Sequence, residues 1–288
     1  MKPLVAATAL ASLGLAGCSG WLEPPQSLGD VNAGFRYIAI DPLPVSFTPD
    51  FGKCGPGTGA APGLLDALHD LAARVSTEQV SGEASVNIPV FSAGGSGSSY
   101  RVTQDFIAYD ETPLRFAVPE PGPGQSVEGN MGQARLLEDG EMPEKGERVV
   151  TVPVYVGLGL RLTANVTVRR GNVNLADLGS LSAAAKADQV RGGLVVQSLG
   201  LNGTKVSAVL PMPGELNPTS IQHATVALGA MKALIEDPGT RRWPRVVGIH
   251  YPFATVDRTT VNAIVSALAT RRLEWKPCES GGQSLRAY

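Results

Sequence analysis

The feature that most constrains this chain is a run of strict alternation. Val152, Val154, Val156, Leu158, Leu160 and Leu162 lead on to Ala164, Val166 and Val168 at every second position. Between them stand Thr151, Tyr155, Arg161, Thr163, Asn165 and Thr167, with Gly157 and Gly159 near the middle. A helix would scatter this pattern around its axis, whereas extended chain collects it on two faces, one apolar and one polar. The stretch 149–169 therefore reads as β structure. It is longer than an ordinary strand, so Gly157 and Gly159 are expected to bend it or divide it in two. Its apolar face has two possible partners. It packs on the domain's own helices, or it meets lipid as part of an oligomeric pore, since a lone stretch would leave unpaired edges in a bilayer.

The rest of the chain supplies elements of both kinds. Residues 35–40 read as a strand, and 84–92 and 100–108 as two strands of one hairpin around the Gly- and Ser-rich 93–99. Pro62 suits the first position of a helix that carries Leu64, Leu68, Leu71 and Val75 at helical spacing. Asp177–Val190 is Ala-rich and weakly helical. Leu194–Leu199 and Lys205–Leu210 read as strands about the turn dipeptide Asn202-Gly203. Asn217 and Pro218 begin a helix with an apolar stripe through Ile221, Ala224 and Leu228 to Met231 and Ile235. Arg245–His250 is a short strand, and Asp257 or Thr259 caps a last helix with Val261, Ile264, Val265 and Leu268 inward. Residues 119–147, with Pro119, Pro121 and Pro123 near their start and a cluster of Glu and Asp, read as a disordered or exposed loop.

These elements add up to one α+β domain over 34–288, a largely antiparallel sheet with three or four helices packed on one face. A hydrophobic fraction of 43% is enough for a sizeable core. A net charge of −2 leaves no basic excess to meet phosphates, which argues against nucleic acid as a partner.

The amino terminus says where such a domain goes. Met1-Lys2 precedes an Ala- and Leu-rich run that is too short to span a bilayer and fits a secretory signal. Leu15-Ala16-Gly17-Cys18 follows directly. In these residues the chain resembles a bacterial lipoprotein precursor, the four being the lipobox. The resemblance implies that residues 1–17 are removed and that Cys18 becomes the lipidated first residue. It also implies a membrane anchor through that lipid, with residues 18–33 as a flexible tether. Ser19, rather than Asp, implies sorting to the outer membrane. In the oxidising compartment so implied, Cys54 and Cys278 are expected to form a disulfide. Chain entropy gives such a bond, which closes residues 54 to 278, roughly 5 kcal/mol.

Candidate chemistry is sparse. The loop at 94–97 lacks the Gly-Lys-Ser/Thr ending of a phosphate cradle. The acidic 138–147 lacks the spacing of a calcium loop. His69 and His223 begin no two-His metal pattern on a helix, so no metal or cofactor is expected. His250 at a strand end and Asp257 seven residues on are the only catalytic candidates. They would act as base and orienting acid of a hydrolase whose Ser is unidentified. The bland alternative gives Asp257 to the helix cap. The chain is thus expected to be an anchored envelope lipoprotein, a non-catalytic structural or accessory subunit with an envelope partner or a second copy of itself. An anchored hydrolase and an oligomeric pore built on 149–169 are the alternatives.

Overall fold

A computed structural model describes residues 37–47, 64, 68, 71–81, 84–87, 92–93, 96–175, 177–253, 256–276 and 285–287. The strands are β1 (Tyr37–Pro44), β2 (Ala72–Ser81), β3 (Ala84–Asn87), β4 (Ser99–Pro119), β5 (Glu147–Val168), β6 (Val190–Leu199), β7 (Arg245–His250), β8 (Leu273–Trp275) and β9 (Leu285–Ala287). Two-residue bridges supplement them. The helices are α1 (Leu178–Lys186), α2 (Thr204–Val209), α3 (Pro218–Gly229), α4 (Met231–Glu236) and α5 (Arg258–Ala269). The architecture is α+β, built on a mostly antiparallel sheet.

The alternating run forms one unbroken strand. β5 pairs along its whole length with β4, from Ser99 opposite Thr167 to Pro119 opposite Glu147. Its other edge is shared. β6 takes Gly159–Val168, and β7 takes Val154–Gly157. Beyond β7 lies β1, and beyond β4 lie β2 and then β3. Gly157 and Gly159 do not divide the strand. They let the neighbouring backbone come close, because a methyl on Gly159 would run into the Phe106 carbonyl and stand 2.9 Å from Ile107 Cα. Gly159→Ala is accordingly expected to lower stability by about 1–3 kcal/mol through overpacking. A shift of the urea midpoint would measure this, and a neutral result would mean that β4 and β5 part freely there.

The even-numbered face of β5 is covered by the protein's own core. Val152 to Leu160 pack with Met231, Leu234 and Ile235 of α4 and with Val261, Ile264 and Leu268 of α5. Leu162 to Val168 pack with Leu181 and Ala184 of α1 and Ile221 and Ala224 of α3. Helices of the same chain therefore cover this face. The helices are not confined to that face, however. The long ribbon twists as β-strands do, and α5 reaches round to line the opposite face with Arg258, Asn262 and Val265.

The sheet curls towards its odd-numbered face until β1 lies against β2. That is why the middle of β5 is buried on both sides, Tyr155 through Leu162 included. Inside the curl, Tyr37, Ile107, Tyr155, Leu199 and Val247 make a small third cluster.

Several local expectations differ from what forms. Ala72–Ser81 is strand, whereas the helix read from Pro62 ran on to Val75; most of that helix lies outside the described residues. The Leu71-to-Val75 spacing is ambiguous, and the alternating Ala73, Val75 and Thr77 decide for β, with Val75 packed on the core beside Tyr100 and Val102. Because β2 occupies the edge of β4, β3 pairs with β2 and no hairpin joins it to β4. Thr204–Val209 is helix α2, since Val206 is buried at helical spacing from Val209 and Leu210. The expected cap at Asn217 forms, as a capping box with Ser220, but the helix read as running on to Ile235 is divided at Ala230 into α3 and α4. Asp177 also caps α1. Within 119–147, expected as a disordered or exposed loop, Glu128–Gln133 forms a 3₁₀ turn with Met131 buried. Arg135–Leu136 pairs back onto β4.

Candidate functional site

The curl of the sheet brings polar side chains of four strands into a grid. Strand register sets its rows. Glu78, Arg101 and Asn165 are opposite one another on β2, β4 and β5. The next row is Ser76, Thr103 and Thr163, and the next is Arg74, Asp105, Arg161 and Gln197 of β6. All point to the odd-numbered face. β1 and α5 stand over them, leaving a cavity of about 350 Å³.

Arg161 lines this cavity and is paired with Asp105, and both are almost completely buried. Their pairing is bidentate, with Arg161 Nε 2.6 Å from one carboxylate oxygen and Nη2 2.6 Å from the other. Arg161 Nη2 also donates to the Val247 carbonyl at 2.7 Å, and Nη1 to the Ile40 carbonyl at 2.5 Å. One guanidinium thereby joins β5, β4, β7 and β1. Burial works against the Arg161 charge, but the Asp105 carboxylate outweighs it and holds its pKa above the ordinary value. The Tyr37 hydroxyl donates to Asp105 as well. Burial, then the neighbouring Asp105 charge, pushes Tyr37 well above the usual tyrosine value, so it remains a donor. Gly248 makes this contact possible, because a Cβ there would fall 2.5 Å from Tyr37 Cζ.

Beside the pair is an aromatic annex. Tyr155 meets Tyr37 and Tyr109 edge-on, at centroid separations of 5.1 and 5.3 Å. The Arg74 guanidinium lies 5.0 Å from the Tyr109 ring centre and 5.6 Å from that of Tyr155. At the mouth, Glu78 is held by both Arg101, at 3.5 Å, and Arg258 at the start of α5. The Glu78 side chain is 12% exposed, against 49% for Arg101 and 44% for Arg258.

Of the residues singled out from sequence, Cys18, Cys54, Cys278 and His69 lie outside the described residues. His250 ends β7, with Nδ1 3.5 Å from the Tyr155 hydroxyl. Asp257 caps α5. Its carboxylate accepts from the Thr260 amide at 2.9 Å and the Thr260 hydroxyl at 3.0 Å. The acidic 138–147 segment has counterions within the chain. Arg135 holds Glu141 and Glu147, Arg271 meets Glu138, and Arg286 meets Asp139. Arg169 pairs with Asp188, and Arg242 donates to the Ile235 and Asp237 carbonyls. Among the described residues, no three His, Cys, Asp and Glu side chains are grouped to hold a metal ion. Nor is any helix among them long and apolar enough to cross a membrane.

Sequence reasoning assigned no role to Asp105, Arg161, Glu78, Arg101 or Arg258. The one usable signal was Arg161, a lone charge amid the alternation beside two glycines. Its partner lies 56 positions earlier in the chain, and only strand register brings the two together. Comparison with family models, curated proteins and solved structures matches none of them to this chain.

Proposed function

We propose that this chain is a bacterial envelope lipoprotein, anchored through lipid on Cys18 and directed to the outer membrane. Its α+β domain would serve as a non-catalytic structural or accessory subunit of an envelope assembly. The observation that carries the reading is the order of features at the amino terminus: positive residue, short apolar run, then Leu15-Ala16-Gly17-Cys18. Two or more acyl chains give stable attachment without a spanning helix, at about 0.8 kcal/mol per buried CH₂. The non-catalytic part is supported by the capping duty of Asp257, which takes up the carboxylate that a His250 base would need as its orienting partner. A Cys54–Cys278 disulfide belongs to the same proposal. Alkylation with and without prior reduction, followed by intact-mass measurement, tests it.

Cys18→Ser is expected to abolish incorporation of labelled palmitate and to move the protein from the membrane fraction to the soluble one. Undiminished labelling in this variant would end the lipoprotein reading. Crosslinking in native membranes addresses the assembly. A partner recovered in near-equal amount, or a second copy, is the expected result, and recovery of the monomer alone would count against a subunit role.

A further inference from the structure

The cavity at the mouth of the curled sheet has the features of a ligand site, and we infer that it binds a small hydroxylated carboxylate, a sugar acid in chemical class. Such binding needs neither the anchor nor an assembly.

Arg258 on Glu78 would suffice to clasp α5 to the sheet. A second guanidinium, Arg101, converges on the same carboxylate. Arg161 is neutralised by Asp105 beneath it. Around Glu78, two guanidinium groups therefore meet a single carboxylate. Asp41 also lines the cavity, on β1, so the excess of positive charge is local to the Glu78 end. Two guanidinium groups at the entrance form a fork that suits a carboxylate.

At about 350 Å³, the cavity lies at the lower end of pockets that hold small organic ligands. It equals the space of roughly a dozen waters. The floor is the row Ser76, Thr103 and Thr163, three hydroxyls that can each donate and accept. Gln197 of β6 and Asn262 of α5, both exposed, each add an amide to the lining. Such a set suits a ligand with several hydroxyls. Ile38, Ile40, Val261 and Val265 supply an apolar wall for its carbon skeleton. The ligand's carboxylate would lie against Arg101 and Arg258, and its hydroxyls over the threonines.

The test uses the full chain in detergent micelles, titrated calorimetrically with glucuronate, gluconate, glucose and inorganic phosphate. At least one of the two sugar acids is expected to saturate a single site. Glucose should bind at least tenfold more weakly, because the fork then has no charge to meet. Thr163→Val removes a floor hydroxyl with little change of shape, and Arg101→Gln removes one arm of the fork. Each should weaken sugar-acid binding at least tenfold. Gln197→Ala, at the exposed rim, gives a third variant that leaves the interior untouched, and a measurable weakening is expected there too. Saturable binding by neither sugar acid would overturn the proposal. So would equal binding of glucose, or phosphate binding as tightly as the sugar acids with no response to Thr163→Val.

Discussion

Asp105→Ala is expected to lower the stability of this protein by about 3–5 kcal/mol, the range for breaking a buried ion pair by removing one partner. That is about a fifth or more of what holds a typical domain together. The magnitude comes from what is left behind. Arg161 stays charged and buried in the curl, without the carboxylate that meets its Nε and Nη2 at 2.6 Å. Tyr37 loses the acceptor to which its hydroxyl donates. Arg161→Met should cost a comparable amount, since it strands the Asp105 charge and frees the Ile40 and Val247 carbonyls. The double variant Asp105→Ala/Arg161→Met is expected to be more stable than the sum of the singles implies, because no charge is then left without its partner. Urea unfolding of the four proteins measures all three effects. A loss below about 1 kcal/mol for Asp105→Ala would place the pair among solvent-screened surface bridges and contradict its burial.

Trp275→Ala is expected to cost a similar 3–5 kcal/mol, by a different route. Trp275 in β8 is fully buried in the main core. It pairs in register with Phe47 on one side and Leu285 on the other, so the edge of the core formed by β8 and β9 rests on it. Its indole N–H also donates to Asp110 at 2.8 Å, tying that edge to β4. Truncation removes a large apolar surface, opens a cavity and takes one donor from Asp110. Trp275→Phe separates these contributions. It keeps most of the apolar contact and loses the hydrogen bond, so it should recover more than half of the loss. If Phe and Ala proved equally damaging, the hydrogen bond rather than the packing would be the dominant tie.

Much of the fold is legible in short runs of the sequence. The period of two along 152–168 is a local property, and it reported the longest strand and its apolar face. Asn217-Pro218 and Asp257 announced helix starts, because capping is chemistry between residues three positions apart. Where two local patterns competed, the reading failed. Leu71 and Val75 fit both periods, and tertiary pairing with β4 made the segment a strand. Thr204–Val209 became helix because Val206 had a core to enter. The glycines of β5 were visible as exceptions, but their purpose was not, since it depends on the approach of Phe106 from another strand.

The candidate site divides in the same way. By itself the sequence determined the alternation, the caps and the lipobox resemblance, each written in a few neighbouring residues. Only the tertiary structure decided that Asp105 meets Arg161, that Glu78 gathers Arg101 and Arg258, and that three hydroxyls share one floor. Those residues come from β2, β4, β5 and α5. Their meeting depends on the register of long strands and on the curl that carries β1 against β2. Register and curl are set by the packing of the whole sheet, an energy summed over many distant pairs, so no local run of residues records them.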